Sequence, residues 1–293
     1  MDRQEKPLVS IITGYYNRKE NLKESIQSVL EQTYPNFEYI VFDDCSTDGT
    51  SELIDEFAHP RLRVIKHKRN IGFTKGIIAA IAESKGELIA IHGAGDVSFP
   101  ERIAKQVDLL EKNPQVGIVG CLLEDVSREG TKIHSPIDGS NKSHFTQGEV
   151  MYRKSLYYEV GGYNSLFKYG QFTILKLELL KISESAFVNE VLYRRIHFEN
   201  GVTKNPKKRI EQKFYVKLGI ELAEKGTLLN IDSSNILIRS CLSVFNLLRD
   251  SPQEDIFISH LRGNRKALFI YGLYRRRLIS GRLALRILKK LIR

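Results

Sequence analysis

In the first half of the chain, short solid runs of apolar residues alternate with stretches of helical spacing. Leu8 to Thr13 (LVSIIT) reads as a buried strand, after which Leu22, Ile26, Val29 and Leu30 recur with the period of one helix face. A second run, Tyr39 to Phe42, ends in Asp43-Asp44-Cys45-Ser46, and Leu53, Ile54 and Phe57 predict a helix starting near Thr50. Leu62 to Ile65 is a third strand, Gly72 to Ala82 a third helix, and Leu88 to Ile91 a fourth strand behind Gly86. This alternation predicts an α/β fold: a doubly wound, mostly parallel sheet with helices on both faces. Ser98-Phe99-Pro100-Glu101 has capping-box spacing, so a helix carrying Ile103, Val107 and Leu110 is expected to start near Pro100. Val116 to Leu123 reads as a further strand, and the polar stretch Glu124 to His144, with glycines and a proline, as a mobile loop.

Beyond Asn205-Pro206 the spacing turns helical throughout, with Phe214, Leu218 and Leu222 and then Ile236 to Leu248. The expected division is therefore an α/β domain over 1–205 and a helical, basic extension over 206–293. A length of 293 residues fits one domain with an appendage, and 42% hydrophobic with 27% charged residues fits a folded globular chain. The apolar run Leu8 to Ile12 is too short for a secretion signal, and no run approaches the roughly 18 apolar residues of a membrane span. Cys45, Cys121 and Cys241 lie far apart without CxxC spacing, which predicts neither a disulfide framework nor a zinc site and places the protein in the reducing cytoplasm.

The net charge of +10 changes this picture only at one end. Eleven Lys or Arg and no acid fall between Arg262 and Arg293, leaving the rest of the chain near −1. Leu268, Leu273, Leu283, Ile287 and Leu291 interleave with those cations, the pattern of a basic helix lying on an anionic membrane surface or of an appendage packed on the domain. No nucleic-acid-binding motif accompanies the charge, so nucleic acid is not an expected partner.

In doubly wound sheets ligands bind beyond the carboxyl ends of the strands. Those ends carry Thr13-Gly14-Tyr15-Tyr16-Asn17, Asp43 to Asp48, Arg69-Asn70-Ile71-Gly72 and His92-Gly93-Ala94-Gly95-Asp96. An aromatic ring could stack on a base, a carboxylate could accept from a ring N–H, and Lys75 or Arg69 could meet a phosphate, which together describe a nucleotide site. Alternatively, Asp44, Ser46 and Asp48 are ordinary N-caps of the helix near Thr50.

Five collinear segments carry a resemblance. They are PLVSIITGYYN; SIQSVLEQTYPNFEYIVFDDCSTDGT; NIGFTKGIIAAIAESKGELIAIHGAGD with FPERIAKQV; VMYRKSLYYEVGGYN; and LYRRIHFENGVT. Over about residues 7–203 the chain resembles the family 2 glycosyltransferases, inverting enzymes of GT-A fold that use nucleotide sugars. The resemblance implies that Thr13, Tyr16 and Asp44 line a nucleoside pocket, and that Asn70, Gly72, Lys75 and Asp96 complete the nucleotide contacts. It implies a nucleotide diphosphate sugar as donor and a glycan or lipid-linked acceptor, with polysaccharide assembly as the setting; homo- or hetero-oligomers stay open.

The departures from the family pattern fall at functional positions. Gly93-Ala94-Gly95-Asp96 stands where the family has Asp-x-Asp-Asp, so Mg²⁺ or Mn²⁺ is expected to bind weakly, if at all, through Asp96 and His197. The position of the catalytic base falls at Phe172, whose ring cannot accept a proton, and Ile78 stands where asparagine is common. Glu149, Glu124 and Asp125 are candidate substitute bases or else solvated surface acids, and Lys75, Arg69 or Arg195 could neutralise a diphosphate without a metal. The expected function is nucleotide-sugar-dependent glycosyl transfer with an atypical metal site; the alternative is an inactive relative serving a partner enzyme as a binding or scaffolding subunit.

Overall fold

A computed structural model describes residues 6–128, 130–134, 145–165, 167–198, 212, 215, 216 and 220. The expected helical extension over 206–293, and with it the basic segment 262–293, lies outside the described residues apart from these last four.

The described strands form one sheet. β1 (Val9–Tyr15), β2 (Phe37–Asp43), β3 (Leu62–Lys66) and β4 (Leu88–Ile91) make a parallel half in the order β3-β2-β1-β4. β1, β2 and β4 are apolar almost throughout because both their faces are covered. Successive side chains alternate between those faces. Val9, Ile11 and Tyr15 of β1 join Tyr39, Val41, Leu88 and Ala90 in a core closed by α1 (Leu22–Leu30), α2 (Thr50–Asp55) and α4 (Arg102–Lys112). α3 (Phe73–Glu83), with Ile77, Ala80 and Ile81 buried, packs on β1 and β2. Edge strand β3 is only half-buried, and its Arg63 and Lys66 form exposed ion pairs with Glu83 and Asp55, charges that discourage pairing with another chain.

The second half of the sheet is mixed, in the order β4-β8-β6-β9-β5. β8 (Met151–Arg153) runs antiparallel between β4 and β6 (Val116–Ser127), and β9 (Glu184–Ile196) runs parallel to β6 with register shifts around Cys121 to Leu123. β5 (Val97–Ser98) pairs antiparallel with the far end of β9. α5 (Lys154–Glu159) follows β8, and α6 (Gln171–Ile182) precedes β9. The contacts divide the chain into two compact units, one of Met1–Lys168 with Leu175–Phe198 and one of Tyr169–Ile174 with Glu199–Arg293.

Two local expectations are corrected. No capping box opens α4: Ser98 belongs to β5, the cap is Glu101, and no side chain caps the helix. Pairing of Val97 and Ser98 with Arg194 and Tyr193 holds that segment extended. The polar stretch after Leu123 is not a loop from its start, because β6 continues to Ser127 and turns into β7 (Gly130–His134) as a hairpin. Glu124 and Asp125 are polar positions in a strand whose partners, Arg194 and Arg195, bear the opposite charge.

Candidate functional site

The carboxyl ends of β1, β2 and β4 lie side by side, and strand order reverses between β1 and β4, the place where such sheets take ligands. The first two loops are tied together. Asn17 donates its backbone N–H to Ser46 Oγ at 2.9 Å and accepts from Thr47 N at 2.8 Å, while Arg18 N donates to Thr50 Oγ1 at 2.9 Å. Ser46 in turn donates its hydroxyl to Asp43 at 2.5 Å. Of the three residues weighed as helix caps, only Asp48 bonds the start of α2, accepting from the Thr50 amide and hydroxyl.

Asp44 does something else. Its carboxylate is 2% exposed and accepts from Ile71 N and Gly72 N, both at 2.8 Å, with His67 Nδ1 at 2.9 Å. It holds the third loop in place, with Gly72 at φ 86° opening α3, and leaves Asn70 and Lys75 exposed on either side. Tyr16, at 52% exposure, presents its ring at the end of β1. Thr13 is 1% exposed, and its Oγ1 accepts from the Tyr39 hydroxyl at 3.1 Å inside the core.

At the end of β4, a single hydroxyl organises the turn. Ser25 Oγ lies 3.0 Å from His92 Nε2 and accepts from Tyr15 Oη at 3.3 Å and Gly95 N at 3.2 Å. With two donors already on it, the Ser25 hydroxyl donates to His92. Burial, with the charge of Arg102 adding to it, pushes the His92 ring down to about 3, so it is neutral and able to accept. Tyr193, reaching in from β9, accepts from Gly93 N at 2.8 Å and donates to Asp96 Oδ2 at 2.7 Å, while Ile196 N donates to Asp96 Oδ1 at 2.9 Å.

Both oxygens of Asp96 are thus occupied by β9. Burial raises its pKa, outweighing these hydrogen bonds and the nearby Arg195 and Arg18. His197, the other expected ligand, places Nε2 2.9 Å from Asp125 Oδ1. The ring of Phe198 lies over Gly95, whose Cβ, were there one, would fall 2.7 Å from Cζ. No group of three or more His, Cys, Asp or Glu that could hold a metal ion occurs among the described residues. This donor set does not fit a divalent cation, which needs several open oxygen ligands.

The candidate bases are engaged as well. Arg194 Nε donates to Glu124 at 2.6 Å, and Arg195 donates two bonds to Asp125, both at 2.5 Å. Burial would raise Asp125, but Arg195 and His197 bring it below the ordinary carboxylate range. Both acids are partly buried pairs, not solvated surface groups, and Arg195 is already committed. Glu149 is fully buried, accepting from the Thr146 amide and hydroxyl. Phe172 is buried in the first turn of α6, and Ile78 is half-buried in α3. Sequence reasoning missed Ser25, Tyr193, Phe198 and Arg18; only Arg18, directly after Asn17 at a strand end, stood where the reading was already looking.

The model of Glycosyl transferase family 2 matches residues 10–182. EpsE of Bacillus subtilis, named as a glycosyltransferase, is 35% identical over 170 residues, 55% of this chain and 61% of EpsE. The Escherichia coli protein WfgD is named as a UDP-Glc:alpha-D-GlcNAc-diphosphoundecaprenol beta-1,3-glucosyltransferase. It is 33% identical over 106 residues, 36% of this chain and 42% of its own. The matches thus span less than two thirds of either relative. Among solved structures, S. aureus TarS 1–349 in complex with UDP-GlcNAc superposes with a TM-score of 0.63 at 17% identity, covering 97% of this chain and 90% of that one. At that identity the likeness speaks for the fold, which is of GT-A type.

Proposed function

Because the chain belongs to glycosyl transferase family 2, we propose that it transfers a sugar from a nucleotide diphosphate donor to a glycan or lipid-linked hydroxyl. In that reaction an acceptor oxygen forms a bond to the anomeric carbon as the bond from that carbon to the diphosphate breaks. The acceptor's proton leaves to a base, and the nucleoside diphosphate departs. The observation that carries this reading is the arrangement at the ends of β1, β2 and β4. Tyr16 offers an exposed ring, and the loop anchored by Asp44 holds Asn70 and Lys75 at the surface. In this reading Tyr16 stacks on the base and Lys75 meets the phosphates, while Asp44 acts by shaping Ile71 and Gly72. Likeness to WfgD, named for transfer of glucose from UDP-Glc to a diphosphoundecaprenol-linked sugar, supports the lipid-linked acceptor. No helix among the described residues is long and apolar enough to cross a membrane; the eleven cations and interleaved leucines and isoleucines of 262–293 are the feature of the sequence that suits contact with an anionic surface bearing a lipid-linked acceptor.

Calorimetry with uridine, guanosine, thymidine and cytidine diphosphates tests the donor site: one of them binds, and its sugar conjugate is consumed when acceptor is supplied. Failure of all four to bind would remove the reading.

A second reading, an inactive relative that binds nucleotide for a partner enzyme, is favoured by one observation. Glu124, Asp125 and Glu149 are already bonded to Arg194, Arg195 and Thr146, and Phe172 has no carboxylate. Binding of a nucleoside diphosphate without turnover of its sugar conjugate, across a panel of acceptors, separates this reading from the first.

A further inference from the structure

Arg18 lies where the first loop meets the turn after β4. Its guanidinium carbon sits 4.3 Å from the centre of the Phe198 ring, and that ring lies against Gly95. The backbone on both sides is fixed: Arg18 N is held by Thr50 Oγ1, and the Asn21 side-chain amide donates to Gly95 O at 2.7 Å. The guanidinium itself makes no hydrogen bond or ion pair among the described residues. Three other arginines around this turn are engaged, Arg195 with Asp125, Arg194 with Glu124, and buried Arg102 with the Ile91 carbonyl, whereas Arg69 is exposed on the third loop. A half-buried guanidinium has five donors in a fixed fork, so one with its ring seat filled and its donors unused is built to receive an anion. Burial lowers its pKa, with the charges of Glu20, Asp96 and Asp48 opposing, yet a guanidinium stays charged at any physiological pH.

The cation-ligand side of the same turn is closed. Asp96 turns both oxygens toward Tyr193 and Ile196, and Phe198 covers Gly95. A metal ion or a guanidinium could face a diphosphate here, and the side chains of this turn favour the second: both Asp96 oxygens are bonded by β9, whereas no described residue bonds the Arg18 fork. Building on the donor reading above, we propose that Arg18, seated on Phe198 over Gly95, binds the diphosphate of the donor and takes the place of a divalent cation. The guanidinium donates to non-bridging phosphate oxygens in the bound donor and neutralises the charge that grows on the diphosphate as the glycosidic bond breaks. Lys75, exposed on the first turn of α3, is too open to water to supply that charge alone. Phe198 serves as a positioning residue, because stacking fixes the plane of the fork.

The test uses the full chain in two parallel series, one with a chelator and one with Mn²⁺ or Mg²⁺ in its place, and three probes: inorganic pyrophosphate, the four nucleoside diphosphates, and the corresponding nucleosides. The expected result is that pyrophosphate and one nucleoside diphosphate bind without metal, and that Arg18→Gln weakens both by about tenfold or more while nucleoside binding is unchanged. Phe198→Leu should weaken the same two probes by a smaller factor, and it provides the test if Arg18→Gln fails to fold. Equal affinity of Arg18→Gln and parent, or a parent that binds diphosphate only with Mn²⁺ or Mg²⁺, overturns the proposal and leaves the donor reading standing. Arg18-dependent pyrophosphate binding with no response to any nucleoside diphosphate removes the donor reading and keeps the anion site. Absence of binding to every probe overturns both.

Discussion

The carboxylate of Asp96 fills the space that a side chain on Gly93 would need. A Cβ there would overlap Oδ2 and come within 3.1 Å of the Tyr193 hydroxyl. The pairing of Asp96 with Tyr193 therefore requires glycine three residues earlier. Gly93→Ala should cost about 1–3 kcal/mol, the usual price of forcing an extra carbon into a filled site. Urea unfolding measures it, and an unchanged midpoint would show that Asp96 can move aside freely.

Asp44 should matter to the third loop before it matters to any ligand. Removing a buried carboxylate that accepts two backbone N–H groups leaves both donors unsatisfied, so Asp44→Ala should destabilise the protein by about 2–3 kcal/mol. Hydrogen exchange reads the mechanism directly: the Ile71 and Gly72 amides lose protection more than those of β1. Protection retained at those two amides would mean that the loop is held by something else.

Stability should fall as pH rises through the range set by Glu149. Burial pushes this carboxyl from 4.5 up to about 7, against the hydrogen bonds from Thr146 and the charge of Arg102. Between those values the folded protein keeps a proton that the unfolded chain has released. The contribution is complete below the unfolded value and is lost by the time pH passes the folded one, a change on the order of 3 kcal/mol. Denaturation at pH 5 and pH 8 should show this difference in the parent and most of it gone in Glu149→Gln; the same difference in both would assign it to other groups.

Tyr16 separates binding from folding. Its ring is exposed, so Tyr16→Ala should leave stability within about 0.5 kcal/mol. If the ring stacks on a nucleobase, the same substitution should weaken nucleoside diphosphate binding by about 1–3 kcal/mol. Calorimetry and thermal unfolding on one preparation give both numbers, and binding unchanged by the substitution would move the base elsewhere.

The basic segment from Arg262 to Arg293 should hold the chain to anionic bilayers. Cosedimentation with phosphatidylglycerol vesicles should decline as salt is raised, and neutral vesicles should not sediment the protein at all. Salt-insensitive binding, or equal binding to both vesicle types, would count against an electrostatic attachment.

The parallel half of the sheet was legible in the sequence because β1, β2 and β4 are built on apolar runs, β3 keeps Leu62, Val64 and Ile65, and α1 and α3 carry clear stripes. The mixed half was not. β5 is two residues long, β8 three, and β9 mixes Glu184, Asn189, Glu190, Arg194 and Arg195 with its apolar positions. Missing β9 hid most of the β4 side of the site. Glu124 and Asp125 read as loop acids because nothing local reveals Arg194 and Arg195 opposite them. His197 was matched with Asp96 by motif, whereas the strand register gives Asp96 the Ile196 amide and turns the imidazole to Asp125. Asp44 was found from its place at a strand end, but its work on two backbone amides is a tertiary fact.

The partners of Asp96 come late in the chain: Tyr193 follows it by 97 positions and Ile196 by 100. A ribosome delivers β1 to β4, with Asp96 just behind, long before β9 exists, so for that interval the carboxyl has water where it will later have a tyrosine and an amide. Closing so long a loop is slow compared with forming the βα units. The turn that seats Arg18 and Phe198 is consequently expected late in folding, and a chain stalled before β9 would have β1 to β4 but lack Tyr193, Ile196 and Phe198 around Asp96 and Arg18.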